Sequence, residues 1–231
     1  MNAIDNPSRR AFLIASAALG AGLTLGFYLP SGRAAKAAAS DAVFAPNAFL
    51  RIAPDNTITI LVKHLEMGQG VYTGLPMLVA EELEVAWDQI QVESAPADAK
   101  LYGNLSWGGT TQGTGGSSSL TNSWDQLRQA GATAREMLIA AAAADWKVNP
   151  STLKAENGHV IDAQNSRKAS YGELASKAAA LTPPPDVKLK TPDQWKIIGK
   201  NLPRKDGRAK AVGQAQFAGD LKLPGLLTAL V

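Results

Sequence analysis

Thr57-Ile58-Thr59-Ile60-Leu61-Val62, then Met67-Gly68-Gln69-Gly70, then Thr73 through Glu84: this stretch decides how the chain folds. The first run is apolar and rich in β-branched residues, so it reads as a strand. Upstream, Phe49-Leu50-Arg51-Ile52 is a second strand, and Pro54-Asp55-Asn56 between them is turn chemistry, which makes the two a hairpin. The glycines end the strand. Thr73 to Glu84 has helical content, with Pro76 early enough to sit in a first turn. Ile90-Gln91-Val92-Glu93-Ser94 alternates and reads as another strand. The expected class is α+β, mixed sheet hairpins packed with helices.

Downstream lies Gly108-Gly109-Thr110-Thr111-Gln112-Gly113-Thr114-Gly115-Gly116-Ser117-Ser118-Ser119, followed by a clear helix. Leu120, Trp124, Leu127, Ala134, Leu138 and Ala141 form one apolar stripe along it, and it ends near Trp146, before Asn149-Pro150. Leu153 to Ala155 and His159 to Ile161 flank Glu156-Asn157-Gly158, a second hairpin. Tyr171 to Ala180 is a short helix, and Pro183-Pro184-Pro185 opens a stiff linker. Ala215 to Val231 carries strand-like pieces split by Pro224-Gly225. The run Leu226 to Val231 stops without turn or polar tail, so the sequence is expected to be part of a longer one.

Composition narrows the chemistry. The chain has 231 residues, 45% of them hydrophobic, and a formal net charge of only +3 with both signs interspersed, which is no argument for nucleic acid. With 0 cysteines it can form no disulfide, hold no iron–sulfur cluster and run no thiol chemistry. Its 2 histidines, His64 and His159, lie in dissimilar contexts without ligand spacing, so each reads as a surface or structural residue. Electrons, if this chain moves any, must pass through a cofactor or a partner.

At the N-terminus, Ser8-Arg9-Arg10-Ala11-Phe12-Leu13 sets an arginine pair before a mild apolar stretch from Ala11 to Leu29. A positive head, an apolar middle and small-x-small sites at Ala35, Ala37 and Ala39 make an exported leader, and the paired arginines select the twin-arginine route. The competing reading is a retained membrane anchor, since a run of about 19 residues is near the lower limit for spanning a bilayer. Twin-arginine export carries folded proteins, which suits a chain that takes up a cofactor before leaving the cytoplasm. The expected location is the periplasm or the periplasmic face of the inner membrane.

Either glycine-rich turn alone is weak evidence. Gly68-Gln69-Gly70 reads first as a tight strand-to-helix turn, and functionally as backbone amides left free at a helix entrance. Gly113 to Ser119 alone would be a flexible linker. It leads straight into the most regular helix, however, so Ser117, Ser118 and Ser119 surround an N-cap, where hydroxyls and free amides suit a phosphate. Two such turns could converge on one phosphate-bearing cofactor. The spacing fits neither a Walker A loop nor a dinucleotide fingerprint.

Glu66-Met67-Gly68-Gln69-Gly70 resembles the Glu-Met-Gly-Gln-Gly turn of the molybdenum hydroxylases, the xanthine dehydrogenase and aldehyde oxidase family. Thr114-Gly115-Gly116-Ser117-Ser118-Ser119 is similar to that family's second small-residue turn, and Ala80-Glu81-Glu82-Leu83 and Ile90 to Val92 match its helix and strand. Asp206 to Lys210 and Gly219 to Leu226 resemble the entry to its α/β hammerhead domain. Turns that precede the hammerhead, behind an export leader, resemble the isoquinoline 1-oxidoreductase β-subunit and exported aldehyde dehydrogenase type within that family.

The resemblance implies a domain plan: residues 1–39 a twin-arginine signal peptide, 40–182 a molybdopterin-binding segment, 183–205 a linker, and 206–231 the start of the hammerhead. It implies a molybdenum–molybdopterin cofactor in the cytosine dinucleotide form. Gly68, Gln69 and Gly70 would approach it near the metal, and Thr114, Gly116, Ser117, Ser118 and Ser119 would contact the pterin or its phosphates. Partners implied are a small iron–sulfur subunit, a membrane cytochrome as electron acceptor, and an N-heterocycle or aldehyde substrate. No residue here is assigned as the catalytic base, Glu66 included. Glu81, Glu82 and Glu84 read as a solvated helix face. Competing readings are an exported non-catalytic module gripping an anionic ligand, and an inactive truncated paralogue.

Overall fold

The computed structural model describes residues 49–227 and 229, together with the backbone of a short strand, β1 (Leu23–Leu25). The arginine pair and the small-x-small sites lie outside the described residues. Leu23–Leu25 itself, which the leader reading places in its apolar stretch, runs antiparallel to β2 (Leu50–Ile52), Leu23 opposite Ile52. β2 continues antiparallel to β3 (Ile58–Val62), as the hairpin reading expects. Its turn is closed by the Asp55 carboxylate, which accepts from Thr57 N at 2.9 Å, and by Asn56 in the left-handed region at φ 66°.

From β3 the chain passes through the first glycine turn into α1 (Val71–Leu83) and returns as β4 (Ile90–Ser94), parallel to β3 with Ile58 opposite Ile90. Hairpin reading alone does not reveal this crossover, because two strands joined through a helix look the same in sequence whichever way they pair. It places the carboxyl ends of β3 and β4 side by side, the end of a parallel sheet where ligands bind. A one-turn helix, α2 (Ala99–Tyr102), leads to the second glycine-rich turn and the 28-residue α3 (Ser119–Trp146).

Helices α1 and α3 cross closely over the sheet. Gly131 sits at the crossing, where a Cβ would stand 2.6 Å from the Val79 carbonyl oxygen. Leu75, Leu78 and Leu83 of α1 and Leu127 and Leu138 of α3 meet Phe49, Ile52, Ile58 and Ile60 in one core. The α3 stripe is buried from Leu127 onward. Leu120, expected to belong to it, is exposed, because the first turn of so long a helix projects beyond the sheet.

A second sheet, β5 (Lys154–Glu156), β6 (His159–Asp162) and β7 (Arg167–Ser170), is antiparallel throughout. Its first hairpin turns at Asn157 and Gly158, both at positive φ, as the Asn-Gly pair predicts. Ser170 and Glu173 form a capping box that starts α4 (Tyr171–Ala179). The Tyr171 ring is fully buried and its hydroxyl donates to Leu83 O at 2.7 Å.

The expected stiff linker is a strap laid along α1. The reading of Glu81, Glu82 and Glu84 as a solvated face is overturned: Glu81 and Glu82 are buried at 1% and 0% exposure because the strap covers them. Glu81 accepts from the N–H groups of Lys196, Ile197 and Ile198 and pairs with the Lys190 ammonium at 2.8 Å. Burial opposes its ionisation, but Lys190 and the Ile197 and Ile198 N–H groups outweigh that and hold its carboxyl below the ordinary value. Glu82 takes both Nε and Nη2 of Arg128, and that guanidinium stands 5.4 and 5.6 Å from the centroids of the Trp124 and Trp195 rings, which themselves meet edge to face. Glu84 holds Lys190 and Lys196 at 2.7 and 3.0 Å.

Past the strap, a short α5 (Gly207–Ala211) follows. The strand-like pieces expected within 215–231 are not strands in 215–227. Apart from a single 3-10 turn at Ala218–Asp220 those residues are irregular, and Leu221, Leu223, Leu226 and Leu227 stay exposed. Among the described residues no helix is long and apolar enough to cross a membrane.

Candidate functional site

The first turn is built around Glu66. Its Oε1 accepts from Gly68 N at 2.7 Å and Gly70 N at 3.1 Å, and its Oε2 from Tyr72 N at 3.1 Å. Gly68 and Gly70, at φ +106° and +94°, let those amides converge. Burial raises the pKa of Glu66, but the N–H groups of Tyr72, Gly70 and Gly68 overcome it and the net direction is down. Here the reading of free amides at the entrance of α1 is corrected, because the chain's own carboxylate already fills that anion site. Gln69 folds back on the turn as well, accepting from Met67 N at 2.6 Å and donating to Leu65 O at 2.8 Å. What the turn leaves open is space, with nothing within 4 Å of where a Cβ on Gly68 or Gly70 would lie.

The second turn keeps its donors. The N–H groups of Ser119, Leu120 and Thr121, the first turn of α3, take no acceptor among the described residues. No side chain caps the helix: Ser118 turns inward, donating to Gly115 O at 2.8 Å and accepting from Asn104 Nδ2 at 2.9 Å. The Ser117 and Ser119 hydroxyls take no hydrogen bond among the described residues, Ser117 exposed at φ 52° and Gly116 open beside it at φ +63°. A 28-residue helix aims its positive end at that opening, a geometry suited to an anion.

The two turns meet, as expected. Leu65 N donates to Thr114 Oγ1 at 2.8 Å, so Thr114 is a link between them as well as a rim residue. His64, 2% exposed, is the second link. Its Nδ1 donates to Gly113 O at 3.1 Å and its Nε2 accepts from Asn122 Nδ2 at 3.0 Å. Burial, then the neighbouring Lys63 charge, hold the imidazole below its ordinary pKa, which suits a neutral ring bonded in this way. The structural reading of His64 therefore stands, though sequence reasoning missed what it joins. Asn104, fully buried and donating to Gly113 O, and Asn122, whose buried Oδ1 has no partner, complete the frame. Neither carried a sequence signal.

Trp107 lies against Gly113, where a Cβ would be 2.5 Å from its ring. From the strap, Arg204 donates to Gly68 O at 3.1 Å and pairs with Glu66 at 3.2 Å, tying the first turn to the far end of the chain. No group of three His, Cys, Asp or Glu side chains among the described residues could hold a metal ion. This arrangement therefore offers a cradle for an anionic organic group: open glycines, small hydroxyls and unpaired helix amides.

A cradle of this kind belongs to a cofactor-binding domain, and the comparisons with known proteins say which. The chain belongs to the molybdopterin cofactor-binding domain family, whose model matches residues 7–218, as the resemblance to molybdenum hydroxylases implies. It is 34% identical to the isoquinoline 1-oxidoreductase subunit beta of Brevundimonas diminuta over 97% of this chain and 33% of that one. It is 32% identical to a membrane-bound aldehyde dehydrogenase [pyrroloquinoline-quinone] of Gluconacetobacter polyoxogenes over 95% of this chain and 28% of that one. The chain thus spans about a third of the length of these relatives. The solved structure of quinoline 2-oxidoreductase from Pseudomonas putida 86 aligns over 55% of this chain and 15% of that one at 17% identity. Its TM-score of 0.41 is too low to add to the assignment.

Proposed function

We propose that this chain is the part of an oxidoreductase large subunit that holds the molybdenum–molybdopterin cofactor, and that the whole enzyme oxidises N-heterocycles or aldehydes with water as the oxygen source. The observation that carries the reading is the pairing of a family match across the body of the chain with the α3 N-terminus, which no side chain caps, beside the glycine turn. When bound, the cofactor would supply the two-electron redox chemistry and polarise the oxygen source. The chain's own residues hold and orient it. Ser117, Ser119 and the amides of Ser119 to Thr121 grip its anionic part, with Gly116 giving clearance and Ser118 and Thr114 setting the turn. Gly68, Gln69 and Gly70 face the reacting end, their shape held by Glu66. No residue of this chain is placed at the proton transfer.

The finer reading has several parts: the cytosine dinucleotide form of the cofactor, electrons leaving through a small iron–sulfur subunit to a membrane cytochrome, and twin-arginine export to the periplasm. The absence of cysteine supports the separate iron–sulfur subunit, and Ser8 to Leu13 with the following apolar stretch supports the export. The test is the complete subunit co-expressed with its iron–sulfur partner and assayed for bound molybdenum and pterin. Gln69→Ala and Ser117→Ala should lower cofactor occupancy without a matching drop in unfolding temperature. Purified wild type without pterin would sink the assignment. The N-terminal residue of periplasmic protein tests the leader: a start between Ala35 and Ser40 supports cleavage, and an intact Met1 in the membrane fraction refutes it.

A further inference from the structure

We infer that Arg204 is a positioning residue for the first glycine turn: it holds the Gly68–Gln69 peptide so that the Gln69 N–H stays free to bond an oxygen acceptor of the bound cofactor. This role deepens the proposed function and rests on it for the identity of the ligand alone. Two of the turn's peptides are set by Glu66, whose Oε1 accepts from Gly68 N and Gly70 N at 2.7 and 3.1 Å. The peptide between them is set by Arg204. Its carbonyl, Gly68 O, accepts from Arg204 Nη1 at 3.1 Å, and its Gln69 N–H takes no acceptor among the described residues. The C=O and N–H of a trans peptide point in opposite directions, so a carbonyl held on the Arg204 side aims the Gln69 N–H away from it.

The same guanidinium reaches Glu66 Oε1 with Nη2 at 3.2 Å, so its fork bridges a carbonyl and a carboxylate oxygen that otherwise repel each other. Without the fork the peptide relieves that repulsion by rotating, which turns the Gln69 N–H toward Glu66 and uses up the donor. Gly68 does little to resist, having no Cβ and no atom within 4 Å of where one would lie. Arg204 is itself aimed. Asp206 accepts from its Nε at 3.1 Å and its Nη2 at 3.3 Å. The next residue is anchored on α1 and at the start of β4: Lys205 N donates to Thr73 Oγ1 at 3.2 Å, and the Lys205 ammonium to Trp87 O and Ile90 O. Arg204 is partly exposed, and an ion pair at such a site adds little to global stability. Its loss is therefore felt at the turn and not in the fold.

The test has two readouts. The first is the Gln69 amide signal in a proton–nitrogen NMR spectrum of the full chain without pterin. Arg204→Met should shift or broaden that signal while the thermal unfolding midpoint stays within about 2 °C of wild type. Arg204→Lys keeps the charge but not the fork, so it should restore the signal only in part. Asp206→Asn, which loosens Arg204 without touching the turn, should move the same signal less, and it decides in place of Arg204→Met should that variant fail to fold. An unmoved Gln69 signal, or full rescue by Arg204→Lys, overturns the positioning role. The second readout is pterin bound per complete subunit, co-expressed with its iron–sulfur partner, which Arg204→Met should lower about fivefold or more, the worth of one hydrogen bond. Occupancy equal to wild type beside a shifted Gln69 signal overturns the role toward the cofactor. Wild type that never carries pterin defeats the proposed function and leaves the NMR result in force.

Discussion

Replacing Glu82 by glutamine sets the solvated-face reading of α1 directly against the buried clamp. In the structure Glu82 Oε1 accepts from Arg128 at 2.9 and 2.6 Å, both oxygens accept from Lys190 N at 3.2 and 3.1 Å, and Arg135 stands 3.7 Å from Oε2. Glutamine keeps the shape but has one acceptor oxygen, so its amide N–H must face a donor whichever way it turns. Removing one partner of a buried pair costs about 3–5 kcal/mol, because the remaining charge stays buried. Arg135 retains some exposure, and Arg128 keeps two indole faces and the Lys190 carbonyl, so the lower end, about 3 kcal/mol, is expected. Against a total of about 5–15 kcal/mol this is a large effect, measurable by urea unfolding of the full chain. The Glu82→Gln/Arg128→Met double variant should lose less than the two single losses summed, by about 1 kcal/mol or more. Limited proteolysis within 186–198 should also accelerate, since Glu82 is one of the groups seating the strap. A loss under about 1 kcal/mol, the value of an exposed ion pair, would refute the clamp and restore the solvated face.

Gly131→Ala should destabilise by about 1–3 kcal/mol despite alanine's better helix propensity, because its Cβ would meet the Val79 carbonyl; Gly74→Ala, with nothing within 4 Å, should gain about 0.5–1 kcal/mol. Chemical denaturation of the pair checks both, and a stabilised Gly131→Ala would disprove the close helix crossing. Burial brings the Lys63 ammonium down to about 8 from an ordinary value near 10.5, so between those values the unfolded chain binds more protons than the native one. The Lys63 contribution should therefore rise with pH from about 8 to 10.5, by up to about 3 kcal/mol, read as wild type minus Lys63→Met so that other buried groups cancel. A flat difference across that range would contradict the buried ammonium. His64→Ala should leave the core intact but speed hydrogen exchange at both turns, since it removes the bonds to Gly113 and Asn122; unchanged exchange would show that His64 is not the link.

Much of the fold was legible because its signals are local. The Asn157-Gly158 turn, the Ser170–Glu173 box and the apolar spacing of α3 each act within a few residues, and each element formed where its pattern lies. The convergence of the two glycine turns was legible from their shared position at helix starts. What filled them was not. Whether the amides of Gly68 and Gly70 await a ligand or hold Glu66 depends on a side chain's reach, which spacing does not encode. The parallel pairing of β3 with β4 escaped for the same reason, since hydrogen-bond direction is set by how a crossover packs.

By itself the sequence determined the order of the longer strands and helices between Phe49 and Ala180, the two small-residue turns, the membership of a cofactor-binding family and the lack of any cysteine ligand. Tertiary structure alone decided which charges are buried and what they meet. Glu81 looks like solvent-facing acid on a helix until Lys190, 109 positions further along, comes to lie against it. Lys63 looks like the ordinary end of a strand until Phe49, Gly103 and Gln126 close around it. Periodicity reports the preference of a residue for its own element. The energy of a charge depends on every element that excludes water from it, and those are brought together only when the chain is folded.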